Sequence, residues 1–239
     1  MNTNSYSKSF YYFVGIVLLW IPILFFDSPY FYEHYFDGKI LTTISVFTIF
    51  GVIFYMSSLR IRFLMLMMVP LSWLGEMLCS EWLDMYDYRG NQIPIYVPFG
   101  HAVIFALGWN ITQKSPILSN ALQFKKWMMG FYILLFGIIT LYFKDTLSLA
   151  LGILFFWALW RRNYMPFYLV MSALVLYLEV IGTYYGVWRW DQKQWIFQTV
   201  NPPIGAMFIY IGGDMILGRL CRYLLKIPRK KRSKLAQIP

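Results

Sequence analysis

Apolar runs long enough to cross a bilayer recur along almost the whole chain, at residues 10–26, 39–58, 63–80, 94–112, 127–143, 146–160, 164–185 and 203–225. A hydrocarbon core of about 30 Å takes roughly 20 residues of helix. Lipid offers backbone groups no hydrogen bonds, so unbroken runs of this kind imply helices, and their number implies a helical bundle. The composition agrees: 59% of the residues are hydrophobic, 21% are aromatic and only 13% are charged, outside the range of a soluble domain. The expected fold is an all-α, multi-pass membrane protein with eight transmembrane helices. The sixth run is the shortest, held between Asp145 and Arg161.

Charge sets the expected orientation. The second, fourth and sixth loops carry Arg60 and Arg62, then Lys114, Lys125 and Lys126, then Arg161 and Arg162. The odd loops carry Asp27, Glu33 and Asp37, then Glu81, Asp84 and Asp87, then Asp145, then Asp191, with scattered Lys39, Arg89, Lys144, Arg189 and Lys193. By the positive-inside rule both termini are cytoplasmic, in a cell (inner) membrane. The net charge of +10 does not point to nucleic acid, because Arg219, Arg222, Lys226, Arg229, Lys230, Lys231, Arg232 and Lys234 follow or close the last run. That is where topology-setting charge sits, and where it meets anionic headgroups of membrane lipids. The run at 10–26 lacks a small-x-small cleavage site and reads as an uncleaved first helix. Cys79 and Cys221 fall near opposite ends of their spans and are expected to stay unpaired.

One stretch occurs twice. Glu76, Tyr86, Asp87, Tyr88, Pro98, Gly100 and Gly108 are matched by Glu179, Trp188, Trp190, Asp191, Pro203, Gly205 and Gly213. The offset is 103 residues for the glutamates and 105 for the Pro-x-Gly pairs. Four spans lie in each half, so the expected repeats are parallel: repeat one 10–112, repeat two 127–225, and a basic cytoplasmic tail 226–239, all in one membrane domain. The connector from Thr112 to Lys126, with Ser115, Pro116 and Ser119, is the boundary between halves.

Ionisable groups at membrane depth carry an insertion cost of about 2.5–3.5 kcal/mol, which makes them functional candidates. At about 1.5 Å per residue, Glu76 lies roughly 21 Å and Glu179 roughly 22 Å up their spans, in the same outer third. Asp214 falls near the midplane. His101 follows the first Pro-x-Gly and is matched by Ala206, whereas Trp109, followed by Asn110, is matched to Asp214. The candidate catalytic residues are thus Glu76, Glu179, His101 and Asp214. The candidate substrate-binding residues are Tyr86, Tyr88, Trp109, Asn110, Trp188, Trp190 and Asp191. Two other readings stand beside these: the glutamates as hydrogen-bonding glue between helices, and the loop aromatics, Trp195 included, as an interfacial belt. Two histidines cannot supply a di-iron or haem site, and no Cys/His spacing suggests zinc. With no phosphate loop, Asp-rich diphosphate motif or nucleophile elbow, no metal or cofactor is expected and acid–base chemistry remains.

A helix ending in Glu76, a loop with Tyr86 and Tyr88, and Val97-Pro98 opening another helix resemble membrane-bound carotenoid biosynthesis proteins of the bisanhydrobacterioruberin hydratase type. Asn201-Pro202-Pro203-Ile204-Gly205 is similar to a stretch of the small membrane lycopene cyclases. The likeness covers two patches of about 35 residues each, and His101 and the acidic loop from Glu81 to Asp87 depart from it. It implies an enzyme that protonates an isoprenoid alkene from a carboxylic acid and lets water or a second alkene capture the cation. Glu76 or Glu179 would be the acid and the other the base or water-orienter, within Tyr and Trp walls. Parallel repeats with buried carboxylates also describe a proton-coupled carrier, and a structural membrane subunit would need the polar groups only as glue.

Overall fold

The computed structural model describes residues 3–114, 117, 120–163 and 165–224. The basic tail 226–239 and most of the connector's centre lie outside the described residues, as does the headgroup site expected on that tail. Four helices are long and apolar enough to cross a membrane: α4 (Lys39–Met56), α5 (Leu59–Glu76, extended to Trp82 by a π-helical turn), α7 (Ala121–Tyr142) and α9 (Pro166–Tyr184). These four support a membrane protein. Two shorter apolar segments accompany them: Tyr11–Phe26, made of the end of α1 (Thr3–Leu18) and α2 (Trp20–Phe26), and α8 (Thr146–Arg161). Two helices of 19 residues, α6 (Tyr96–Lys114) and α10 (Ala206–Leu224), carry more polar side chains. The short α3 (Pro29–His34) starts at Ser28, whose hydroxyl accepts from the Phe31 amide at 3.0 Å.

Helices α6 and α9 form the centre. They pack against each other, α6 also meets α1, α4 and α5, and α9 also meets α7 and α10. Of the four long helices α9 is the most enclosed and α7 the least.

Charge explains where the helix ends depart from the apolar runs. α5 begins at Leu59, four residues before the apolar run, because Arg62 serves the chain behind it. Its guanidinium donates to the carbonyls of Phe54, Tyr55 and Ser57 at the end of α4. α7 likewise takes in Lys125, whose Nζ donates to Asn163 O at 3.2 Å. Asp145, expected as a loop charge, instead caps α8: its Oδ1 accepts from the Ser148 amide at 2.7 Å.

The two aromatic segments expected as loops form a two-stranded antiparallel ribbon at one end of the bundle. Strand β1 (Tyr86–Tyr88) pairs with β2 (Trp188–Trp190) in the register Tyr86 to Trp190, Asp87 to Arg189 and Tyr88 to Trp188. A second ribbon, β3 (Lys193–Gln194) with β4 (Phe197–Gln198), follows, and Gln194 ties it to the first by donating to Met85 O at 2.6 Å.

Candidate functional site

The central register pair of the first ribbon is Asp87 and Arg189, both exposed, so the flanking aromatics turn the other way, into the bundle. Tyr86 and Tyr88 both donate to Glu76 Oε2, at 2.6 and 2.7 Å. Trp188 and Trp190 both donate to Glu179 Oε2 through their indole nitrogens, each at 2.9 Å. Each glutamate therefore sits in the C-terminal part of its helix, Glu76 at the last position of α5 and Glu179 before the last turn of α9, under two aromatic donors spaced two residues apart on one strand. That spacing is what puts both rings on the same side of the ribbon.

The remaining oxygens face each other through a stacked pair. His101 Nε2 lies 2.9 Å from Glu76 Oε1, and Tyr210 OH donates to Glu179 Oε1 at 2.8 Å. The His101 and Tyr210 rings stack at 5.1 Å and 8°. Both glutamates are only 3% exposed, and every carboxylate oxygen has a partner. The two shells differ in chemistry. Phenol and imidazole can donate or accept, so protons can redistribute around Glu76. An indole N–H only donates, so Glu179 Oε2 is held as an acceptor.

The backbone supports this arrangement locally. A Cβ on Gly182 would run into the Trp188 ring, so only glycine leaves that ring its seat one turn beyond Glu179. Asn201 Oδ1 accepts from the Trp190 amide at 3.0 Å. In the Pro-x-Gly segments, a Cβ on Gly100 would press on Trp20 of α2, and one on Gly205 on Leu151 and Ser148 of α8. Those glycines let α2 approach α6, and α8 approach the start of α10.

Two buried aspartates brace the same end. Asp27 receives Arg89 Nε at 2.8 Å and Tyr96 OH at 2.5 Å, while Arg89 also bridges to the exposed Asp37 at 2.6 Å. Arg89 beside Asp37 lowers the carboxyl pKa of that residue below its ordinary value. Asp145 receives Thr199 Oγ1 at 2.9 Å and the Val200 amide at 3.1 Å. Each aspartate thus links the exit of one helix to the segment just before a Pro-x-Gly.

Glu76, Glu179, His101, Tyr210 and Asp214 line one cavity of about 720 Å³, together with Tyr86, Tyr88, Trp188, Trp190 and a largely aliphatic wall. Asp214 is 2% exposed, and its Oδ2 has no hydrogen-bond partner among the described residues. The structure does not bring Trp109, Asn110 or Asp191 to this cavity. Trp109 packs on Phe167 with ring centroids 5.9 Å apart, Asn110 donates back to Ala106 O at 2.8 Å, and Asp191 is exposed beyond the ribbon. Glu179 Oε1 is met not by Ala206, the residue that the offset sets against His101, but by Tyr210, one helical turn further on, where the i+4 spacing keeps it on the same face. Among the described residues no three His, Cys, Asp or Glu side chains gather in a metal-binding cluster, and Cys79 and Cys221 are free and buried.

No protein-family model, curated protein or solved structure matches this chain.

Proposed function

We propose that this chain is an eight-span membrane enzyme of two parallel four-helix halves, with both termini cytoplasmic, that performs acid–base chemistry on a lipophilic isoprenoid or lipid substrate. The architecture is supported by the matched geometry of the two halves. α5 and α9 each carry, toward their C-terminal ends, a glutamate under two strand aromatics, and α5 meets α10 as α9 meets α6. The resemblance to carotenoid hydratases and cyclases belongs to the same reading.

The observation that carries the function is the cavity. An apolar space of about 720 Å³ holds two carboxylates whose partners differ in proton capacity, and it has the size of a site for a substrate of drug-like or isoprenoid dimensions. In this reading the Glu76–His101 pair supplies a proton to one carbon of a C=C bond, leaving a cation on the other carbon. Tyr86, Tyr88, Trp188 and Trp190 offer their ring faces to that cation. Water then bonds to the cationic carbon and gives its proton to Glu179, or the cation loses a neighbouring proton there. The first outcome is hydration, the second isomerisation. Capture by a second alkene would give cyclisation.

The test is mass spectrometry of lipid extracts from cells expressing wild type, Glu76→Gln or Glu179→Gln at equal protein level. Wild type is expected to shift the mass or retention of a lipophilic compound, with both variants inactive. Extracts that match those of cells without the protein, in a host rich in isoprenoids, would reject the reading and favour the carboxylates as structural clamps. The full occupancy of their oxygens by protein donors is the one observation that favours that second role.

A further inference from the structure

The cavity is not closed on the side where α5 meets α10. Its wall there consists of Leu74, Gly75 and Leu78 on α5 and Gly212, Gly213 and Ile216 on α10. Leu74 is 62% and Ile216 53% exposed, so the same residues that line the cavity also face the surroundings of the bundle. Glycines in membrane helices commonly mark close packing. These three do not: a Cβ on Gly75, Gly212 or Gly213 would meet no atom within 4 Å. Gly108 on α6 differs: a Cβ there would run into Met171. That position closes a helix pair, whereas the other three leave space.

Asp214 gives that space a polar end. It follows Gly213 directly, lines the same cavity, is 2% exposed and keeps an oxygen without any partner among the described residues. A buried acceptor left unmet is costly, and a ligand that donates to it gains what the protein leaves unused. A hydroxyl is the donor that crosses hydrocarbon at least cost, since a cationic amine would have to be desolvated first.

We propose that the gap bounded by Gly75, Gly212 and Gly213 is a lateral entrance from the bilayer, and that it admits a long-chain alcohol whose hydroxyl donates to Asp214 while its chain runs toward Glu76 and Glu179. The inference rests on the reading of this cavity as a substrate site and narrows the substrate to an amphiphilic alcohol.

The test reads binding without turnover. The purified full chain in liposomes is photolabelled with a C20 isoprenoid alcohol carrying a diazirine on its chain, beside the matched hydrocarbon and the matched primary amine. The alcohol is expected to label at about tenfold lower concentration than the hydrocarbon, the ratio one good hydrogen bond supplies. Asp214→Leu should bring that ratio to about one while hydrocarbon labelling persists. Gly212→Phe and Gly213→Leu, whose side chains grow into open space, should lower labelling by both compounds at least tenfold. Peptide mapping on wild type serves if a variant does not fold: a diazirine next to the hydroxyl should mark α10 around Asp214, and one at the chain end the walls near Glu76 and Glu179. Equal labelling by alcohol and hydrocarbon, tighter binding of the amine, or glycine variants that label like wild type would each overturn the proposal. Labelling as expected in a protein that converts no lipid would sink the enzymatic reading and leave the entrance standing. Lipid conversion indifferent to both glycine variants and Asp214→Leu would sink the entrance alone.

Discussion

Replacing Glu179 by leucine and by glutamine should separate what the carboxylate does for the fold from what it does for chemistry. Three donors converge on it, at 2.9, 2.9 and 2.8 Å. Leucine leaves the Trp188 and Trp190 indoles with nothing to donate to, whereas the Tyr210 hydroxyl can turn toward the cavity. At about 1–3 kcal/mol for each stranded buried donor, Glu179→Leu should lose about 2–6 kcal/mol. Glutamine keeps an oxygen for the two indoles and presents its amide nitrogen to Tyr210, whose hydroxyl can accept, so it should lose less than about 1 kcal/mol. For a chain of this size 1 kcal/mol corresponds to about 2–4 °C in Tm. Heating the detergent-solubilised protein and measuring the monodisperse fraction should place the leucine variant roughly 4–24 °C below wild type and the glutamine variant within about 4 °C. A leucine variant as stable as wild type would refute the donor count. A glutamine variant as damaged as leucine would show that negative charge, and not acceptor geometry, holds the indoles. The expected result also makes Glu179→Gln a fair probe of activity, because any loss would not trace to unfolding.

Two further outcomes follow from the bracing carboxylates. Arg89→Met strands the carboxylate of Asp27, which is fully buried, and should cost about 3–5 kcal/mol, read as a fall in Tm; a Tm unchanged from wild type would mean that Tyr96 alone suffices. Asp37→Asn at the exposed side of the same arginine should cost no more than about 1 kcal/mol near neutral pH. Because Arg89 depresses the folded-state pKa of Asp37, that contribution is present above the ordinary carboxyl pKa of about 4 and is lost as pH falls through the lower folded value. The Tm gap between Asp37→Asn and wild type should therefore narrow on acidification below pH 4, and a gap that widened would contradict the sign.

The helices were legible because hydrocarbon permits little else, and long apolar runs leave one periodic choice. Their ends were not, since a run-based boundary stops at arginine, whereas Arg62 stays inside α5 and turns its charge onto the carbonyls that end α4. The glutamates and the aromatics that follow them could be found by their repetition. The ribbon could not, because strands of three residues carry no periodic signal and take their shape from the helices that hold them. Matching the halves by linear offset misplaced Trp109. Eight residues beyond His101 is two turns plus about 80° of rotation, which carries its ring away from the cavity toward Phe167. Tyr210 carried a usable signal, four residues after the position matched to His101, but it becomes visible only once helix phase replaces residue counting.

On the proposed duplication, the two halves divide labour through donor chemistry more than through geometry. Both place a carboxylate at the same level, bind one oxygen with two strand aromatics and bind the other through the stacked His101–Tyr210 pair. Changing phenols to indoles keeps the rings, the spacing and the hydrogen bonds, yet it removes the ability to accept a proton at Glu179 Oε2. Changing the third partner from tyrosine to histidine places at Glu76 alone an imidazole ring, whose nitrogens can donate or accept. The same pattern of kept position and altered use separates Gly108, pressed against Met171, from Gly213, which faces open space. On that reading a duplicated scaffold would acquire a donor side and an acceptor side from the partners of its glutamates, and a way in from looser packing at Gly213 than at Gly108.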